Sequence, residues 1–192
     1  MRIRKALLLT AAAAASLMLY LPVTAQAATS AQASATGKPG NSAAASVTAV
    51  TAPMTLECGT MSAKAHDYAV AQGYCPGSSE SSDTVVTGNC GSSEIYIYTD
   101  YSTPDLGWAD IKYGFASTKG TVVYRNLGVG YAGESDSGGF NDSSYMFSSS
   151  YTRTVSRYVG SGEAYASVGG TVTLWWGGQC TLLEPTASGD IV

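Results

Sequence analysis

The chain has 192 residues, of which only 12 % are charged, with 10 Lys+Arg against 14 Asp+Glu. Loss of the first 27 residues would remove Arg2, Arg4 and Lys5 and leave seven basic against 14 acidic residues, a net charge of −7. That balance speaks against a nucleic-acid partner, whose phosphates would be repelled, and against an anionic lipid surface.

Those first 27 residues read as a secretory signal peptide. Arg2, Arg4 and Lys5 precede an apolar run over 6–21, closed by Pro22 and followed by the small-residue site Ala25-Gln26-Ala27. The run is about 16 residues long, short of the roughly 20 that a spanning helix needs. No membrane span is therefore expected after cleavage, and the mature chain is expected to be secreted. Residues 28–53 are almost all small, with no aromatic or acidic side chain, and read as a flexible low-complexity leader. A single β-rich domain is expected over 54–192.

An even number of cysteines in an exported chain implies disulfides. Cys58, Cys75, Cys90 and Cys180 allow three pairings. The favoured one is Cys58–Cys75 with Cys90–Cys180, because the first closes a short local loop and the second ties the start of the β region to its end. The absence of CxxC spacing and a single histidine, His66, speak against a structural zinc site.

In chain order, Met61, Ala65, Tyr68, Ala69 and Gln72 fall at helical spacing, which predicts a short helix over 61–72 with Thr60 as cap and Gly73 as stop. Residues 78–83 read as a polar loop. From 84 onward the pattern is strand and turn. Val85-Val86 is a short strand candidate. Ile95 and Ile97 alternate with Tyr96 and Tyr98. Over 108–117, Ala109, Ile111, Tyr113 and Phe115 point inward, which leaves Trp108 on the outward face with Asp110, Lys112 and Gly114. Residues 121–132 make one long strand, or two meeting near 126–128. An acidic, glycine-rich loop follows over 133–142. The ribbon 143–159 then carries Tyr145, Phe147, Tyr151, Val155 and Val159 on one parity. A hairpin about Gly169-Gly170 places Ala164, Ala166, Val168, Val172, Leu174 and Trp176 inward and Trp175 outward. The tail over 181–192, with Pro185, could add an edge strand. Together these elements predict an all-β, disulfide-linked antiparallel sandwich or small barrel of seven to eight strands, with one short N-terminal helix.

Four outward aromatics, Trp108, Trp175, Tyr96 and Tyr98, are the leading ligand-binding candidates, since exposed Trp and Tyr on a sheet suit sugar rings or a protein surface. The plainer account is packing. Glu134, Asp136, Asn141 and Asp142 are hard oxygen donors close in sequence and are the candidate calcium ligands. Their spacing does not fit an EF-hand, and the plainer account is a solvated turn. Asp136-Ser137-Gly138-Gly139 resembles the nucleophile loop of chymotrypsin-like serine proteases, and Ala65-His66-Asp67 loosely resembles that family's histidine segment. Ser135 and Phe140 stand where the family has Gly and Pro, and no acid to orient His66 is identifiable. A two-carboxylate glycosidase could draw on Glu94, Asp110, Glu134 and Glu163, but nothing in the sequence pairs them.

The favoured reading is a secreted, non-catalytic binding or interaction module whose partner is an extracellular glycan or a cell-surface protein. A secreted hydrolase is the alternative, followed by a small secreted inhibitor or effector acting through the 133–142 loop. No motif implies a cofactor.

Overall fold

The computed structural model describes residues 49–77 and 85–192. The signal peptide, most of the leader and the 78–83 loop lie outside the described residues. Within them the elements run β1 (Val50–Glu57), α1 (Ala63–Ala71), β2 (Val85–Thr99), β3 (Trp108–Ser117), β4 (Val122–Ala132), β5 (Ser137–Ser148), β6 (Ser150–Tyr158), β7 (Gly162–Leu174), β8 (Gln179–Leu182) and β9 (Thr186–Ile191). All ladders are antiparallel, in the order β5-β4-β7-β8-β1-β2-β3-β6, and β9 pairs with the first half of β7. The fold is the expected all-β one, a nearly closed barrel or sandwich with one short helix and two disulfides. No helix among the described residues is long and apolar enough to cross a membrane.

Period-two alternation builds the core. Ile95 and Ile97 of β2, Ala109, Ile111, Tyr113 and Phe115 of β3, and Ala164, Ala166, Val168, Val172 and Leu174 of β7 are all buried. Burial of a large aliphatic side chain contributes about 1.5–3 kcal/mol, so this inward face is the main stabilising surface. Cys58–Cys75 brackets α1, and Cys90–Cys180 joins β2 to β8, the two strands that flank β1. By loop length they contribute about 3 and about 4.7 kcal/mol.

Several local expectations are corrected. β1 begins at Val50, inside the stretch read as leader, and Val50–Pro53 pair with Ser92–Ile95. Pro53 is tolerated because β8 reaches only Met54–Leu56, so nothing on that side needs its missing N–H. Ser62, not Thr60, caps α1: its Oγ accepts from the Ala65 N–H at 3.4 Å, while Thr60 donates to Glu57. The predicted hairpin turn is also displaced. Gly169-Gly170 lies within the continuous β7, where Gly170 has φ +125 and a Cβ would run into the Asn126 carbonyl of β4, so only glycine fits. The chain turns at 175–178 instead, where the Leu174 N–H donates to the Gly178 carbonyl at 2.8 Å. Residues 137–142 of the predicted acidic loop are strand, paired with β4. The 143–159 ribbon breaks at Ser149, so Tyr145 and Phe147 are 83 % and 85 % exposed while Tyr151 and Val155 pack on the core.

β5 and β6 are the two ends of the strand order and share no ladder. Side chains close the seam between them. Asp142 of β5, 4 % exposed, accepts from the Tyr113 and Tyr151 hydroxyls at 2.8 and 2.6 Å and from Arg125 Nη2 at 2.8 Å. The Arg125 guanidinium also lies 3.9 Å from the Tyr151 ring centroid. One buried acid thus ties β3, β4, β5 and β6 together.

Candidate functional site

Inward Ile95 and Ile97 force Tyr96 and Tyr98 onto the outer face of β2. Register carries that face across three strands: Tyr96 lies opposite Lys112 and Tyr98 opposite Asp110, and these in turn face Thr154 and Ser156 of β6. Trp108 lies opposite Tyr158, with ring centroids 6.0 Å apart at an interplanar angle of 63°, an edge-to-face pair. Tyr96, Tyr98, Trp108 and Tyr158 therefore share one outer face of β2, β3 and β6.

Several polar groups within this strip are partnered. Lys112 Nζ sits 4.9 Å from the Tyr96 ring centroid, a cation–π contact. The Tyr96 hydroxyl donates to Glu94 at 3.3 Å, and the Glu94 charge raises its pKa above the ordinary tyrosine value. Burial, then the Asp110 charge, raises that of Tyr98. Ser156 donates to Asp110 at 2.6 Å. The rings thus sit on a backed surface that also carries the Tyr96–Glu94 and Ser156–Asp110 hydrogen bonds.

Trp175 does not belong to this face. It is 58 % exposed, but it sits in the β7–β8 turn, edge-on to Tyr68 of α1 at 5.7 Å, and its backbone N–H donates to the Thr121 carbonyl. Trp108 opens β3 and Thr121 follows the other end of that 10-residue strand, so the two tryptophans are about 30 Å apart. Trp176 turns inward as expected, with Nε1 donating to the Lys119 carbonyl at 3.1 Å and its ring against Tyr68 and Tyr74.

Tyr158 is the member of the strip that sequence reasoning missed. Had the 143–159 ribbon been broken at Ser149, Thr152, Thr154, Ser156 and Tyr158 would have read as the outward parity of β6. Tyr101, Leu106 and Tyr165, also exposed, lie at the same end of the barrel as Trp108.

The remaining candidates are not brought together. Asp142, a candidate calcium ligand, is buried in the seam with both oxygens occupied by Tyr113, Tyr151 and Arg125, and Arg153 stands 3.5 Å away. Burial works against its charge, but hydrogen bonds from Tyr151, Tyr113 and Arg125 outweigh it and hold the carboxyl below its ordinary range. Glu134, Asp136 and Asn141 are exposed. Among the described residues no three His, Cys, Asp or Glu side chains are placed to hold a metal. Ser137 opens β5 opposite Ala132, the last residue of β4, whereas His66 lies on α1, which packs on the 175–178 turn at the far end of that strand. They are about 30 Å apart, and the geometry of a nucleophile–base pair is absent. The 133–142 loop shrinks to 133–136, pinned by the Ser135 N–H to the Val159 carbonyl, so it does not protrude as an inhibitory loop would. Glu134 and Glu163 do line one open depression of about 280 Å³, with Ala132, Gly133 and Tyr165.

Arg125, Tyr113, Tyr151 and Arg153 were not singled out in the sequence, though one signal was present. Strand alternation puts Arg125 on the same inward parity as Leu127 and Val129, and an inward arginine requires a buried acid. Comparison with family models, with curated proteins and with solved structures gives no match for this chain.

Proposed function

We propose that the protein is a secreted, non-catalytic binding module that holds a polysaccharide against the aromatic face of β2, β3 and β6. The observation that carries this reading is the convergence of Tyr96, Tyr98, Trp108 and Tyr158 on one face through strand register. Rings already fixed by a sheet and by one another lose little freedom on binding, which favours affinity from a modest area. Export is supported by the N-terminal signal pattern and by two disulfides, which form in oxidising compartments.

The test is co-sedimentation with insoluble cellulose, chitin, xylan and peptidoglycan. Retention on at least one is expected. Trp108→Ala should weaken it by up to about tenfold, the worth of one aromatic contact, and Trp175→Ala should leave it unchanged. Failure to bind any of the four or deacetylated chitin, or binding that survives Trp108→Ala combined with Tyr158→Ala, would remove the reading.

A hydrolase remains the second reading because Glu134 and Glu163 share the 280 Å³ depression with Tyr165. Release of reducing sugar that is lost in Glu163→Gln would favour it over a binding module.

A further inference from the structure

The barrel end that carries Trp108 is both aromatic and acidic. Strand direction brings three loops there, 100–107, 133–136 and 159–161, together with the end of β9. Hydrogen bonds knit them: the Val159 and Gly160 N–H groups donate to the Gly107 carbonyl, Gly107 N–H to the Val192 carbonyl, and Ser135 N–H to the Val159 carbonyl. Tyr101, Leu106, Tyr158 and Tyr165 are exposed around this end, beside half-buried Trp108.

Asp105, Glu134, Asp136, Glu163 and Asp190 are exposed at the same end. Glu163 and Asp190 lie directly opposite each other across β7 and β9, a like-charge pair that costs stability in a sheet. The three loops contain no Lys or Arg. The cations of the neighbouring strands are already engaged, Lys112 over Tyr96 and Arg157 over Phe140 at 4.8 Å. The end therefore presents exposed aromatic side chains together with an excess of negative charge, five exposed carboxylates against the nearby Arg157.

We infer that the ligand of this end is an amino-polysaccharide, a sugar polymer whose rings carry free ammonium groups. The inference rests on the binding-module reading and narrows it. Sugar rings supply what the aromatic strip can stack on, and ammonium groups supply the charge that the five carboxylates lack. A basic peptide is the less suited occupant. β2 and β3, which carry most of the strip, each have neighbours on both sides and offer no free edge for an added strand.

The experiment compares retention on beads of deacetylated chitin with retention on fully acetylated beads, at about pH 5.5, where carboxylates are ionised. The sugar backbone is the same, so the ammonium group is the variable. Retention on the deacetylated beads should be about tenfold stronger, the sum of several exposed charge contacts. It should fall as salt rises from about 0.02 to about 0.5 M. Glu134→Gln combined with Glu163→Gln should abolish the preference with no loss of melting temperature, since both side chains are exposed and Glu163→Gln relieves the repulsion from Asp190. Equal retention on the two bead types, or a preference that survives this double substitution, would overturn the inference. So would polylysine displacing the protein more effectively than deacetylated chitin oligomers, which would assign the end to basic peptides. Retention on neutral glycans alone would sink the ammonium claim and leave the binding module standing. No retention on any polysaccharide would sink both.

Discussion

Strand alternation sends Asp142 inward from β5 and Arg125 inward from β4, and each makes the other's burial tolerable. The Tyr113 and Tyr151 hydroxyls fill the remaining acceptor positions, and no buried side-chain polar atom among the described residues lacks a partner. Removing one charge of such a pair leaves the other buried alone, so Asp142→Asn should cost about 3 kcal/mol in urea denaturation at neutral pH. The pH dependence has a definite sign on each side. The folded pKa of Asp142 is lowered, so its contribution is present above the ordinary carboxylate range and is lost as pH falls through its depressed value. Burial and then the Asp142 hydrogen bond raise those of Tyr113 and Tyr151, so their contribution is present below about pH 10 and is lost as pH rises further. Unfolding midpoints should fall at both extremes in the wild type, and Asp142→Asn should flatten the acid side. At this scale the sequence disclosed the disulfide pairs and the outward faces of Trp108, Tyr96 and Tyr98. It hid the seam, because 133–142 read as a glycine-rich loop, and a residue in a loop has no assigned face.

Alternation identifies which face a residue joins far better than it identifies where a strand turns. β3, apart from the buried Gly114, and the inward face of β7 follow their patterns, yet Gly169-Gly170 reads as a turn and is not one. Two glycines satisfy a tight turn and a close crossing of two backbones equally well, and only the neighbouring strand decides between them. The contact with Asn126 makes the distinction measurable. Gly170→Ala forces a side chain into a positive-φ position against a carbonyl and should cost about 1–3 kcal/mol, read as a shift in the urea midpoint. A neutral outcome would mean that Gly170 is not held at positive φ against the Asn126 carbonyl. The displaced turn also explains the two tryptophans. Trp176 is drawn under the turn by Tyr68 and Tyr74, and Trp175 is left beside α1 rather than on the sheet face.

On the scale of the whole molecule the two ends of the barrel differ in kind. One carries α1, the Trp175 turn and the Ser149 break between β5 and β6. The other gathers Trp108, Tyr158, Tyr165 and five exposed carboxylates through loops distant in sequence. The fold class and the separate aromatics were legible because periodicity is local. Their grouping was not, because it depends on the sheet order β2-β3-β6, which no local pattern encodes. The central claim is that ligand meets the Trp108 end alone. The chain has three tryptophans, Trp108, Trp175 and Trp176, so a nitrogen–proton correlation spectrum should contain three indole signals, each assignable by substitution. Titration with soluble deacetylated chitin oligomers should move the Trp108 signal progressively and leave those of Trp175 and Trp176 in place. Movement of the Trp175 signal with Trp108 unmoved would contradict the account.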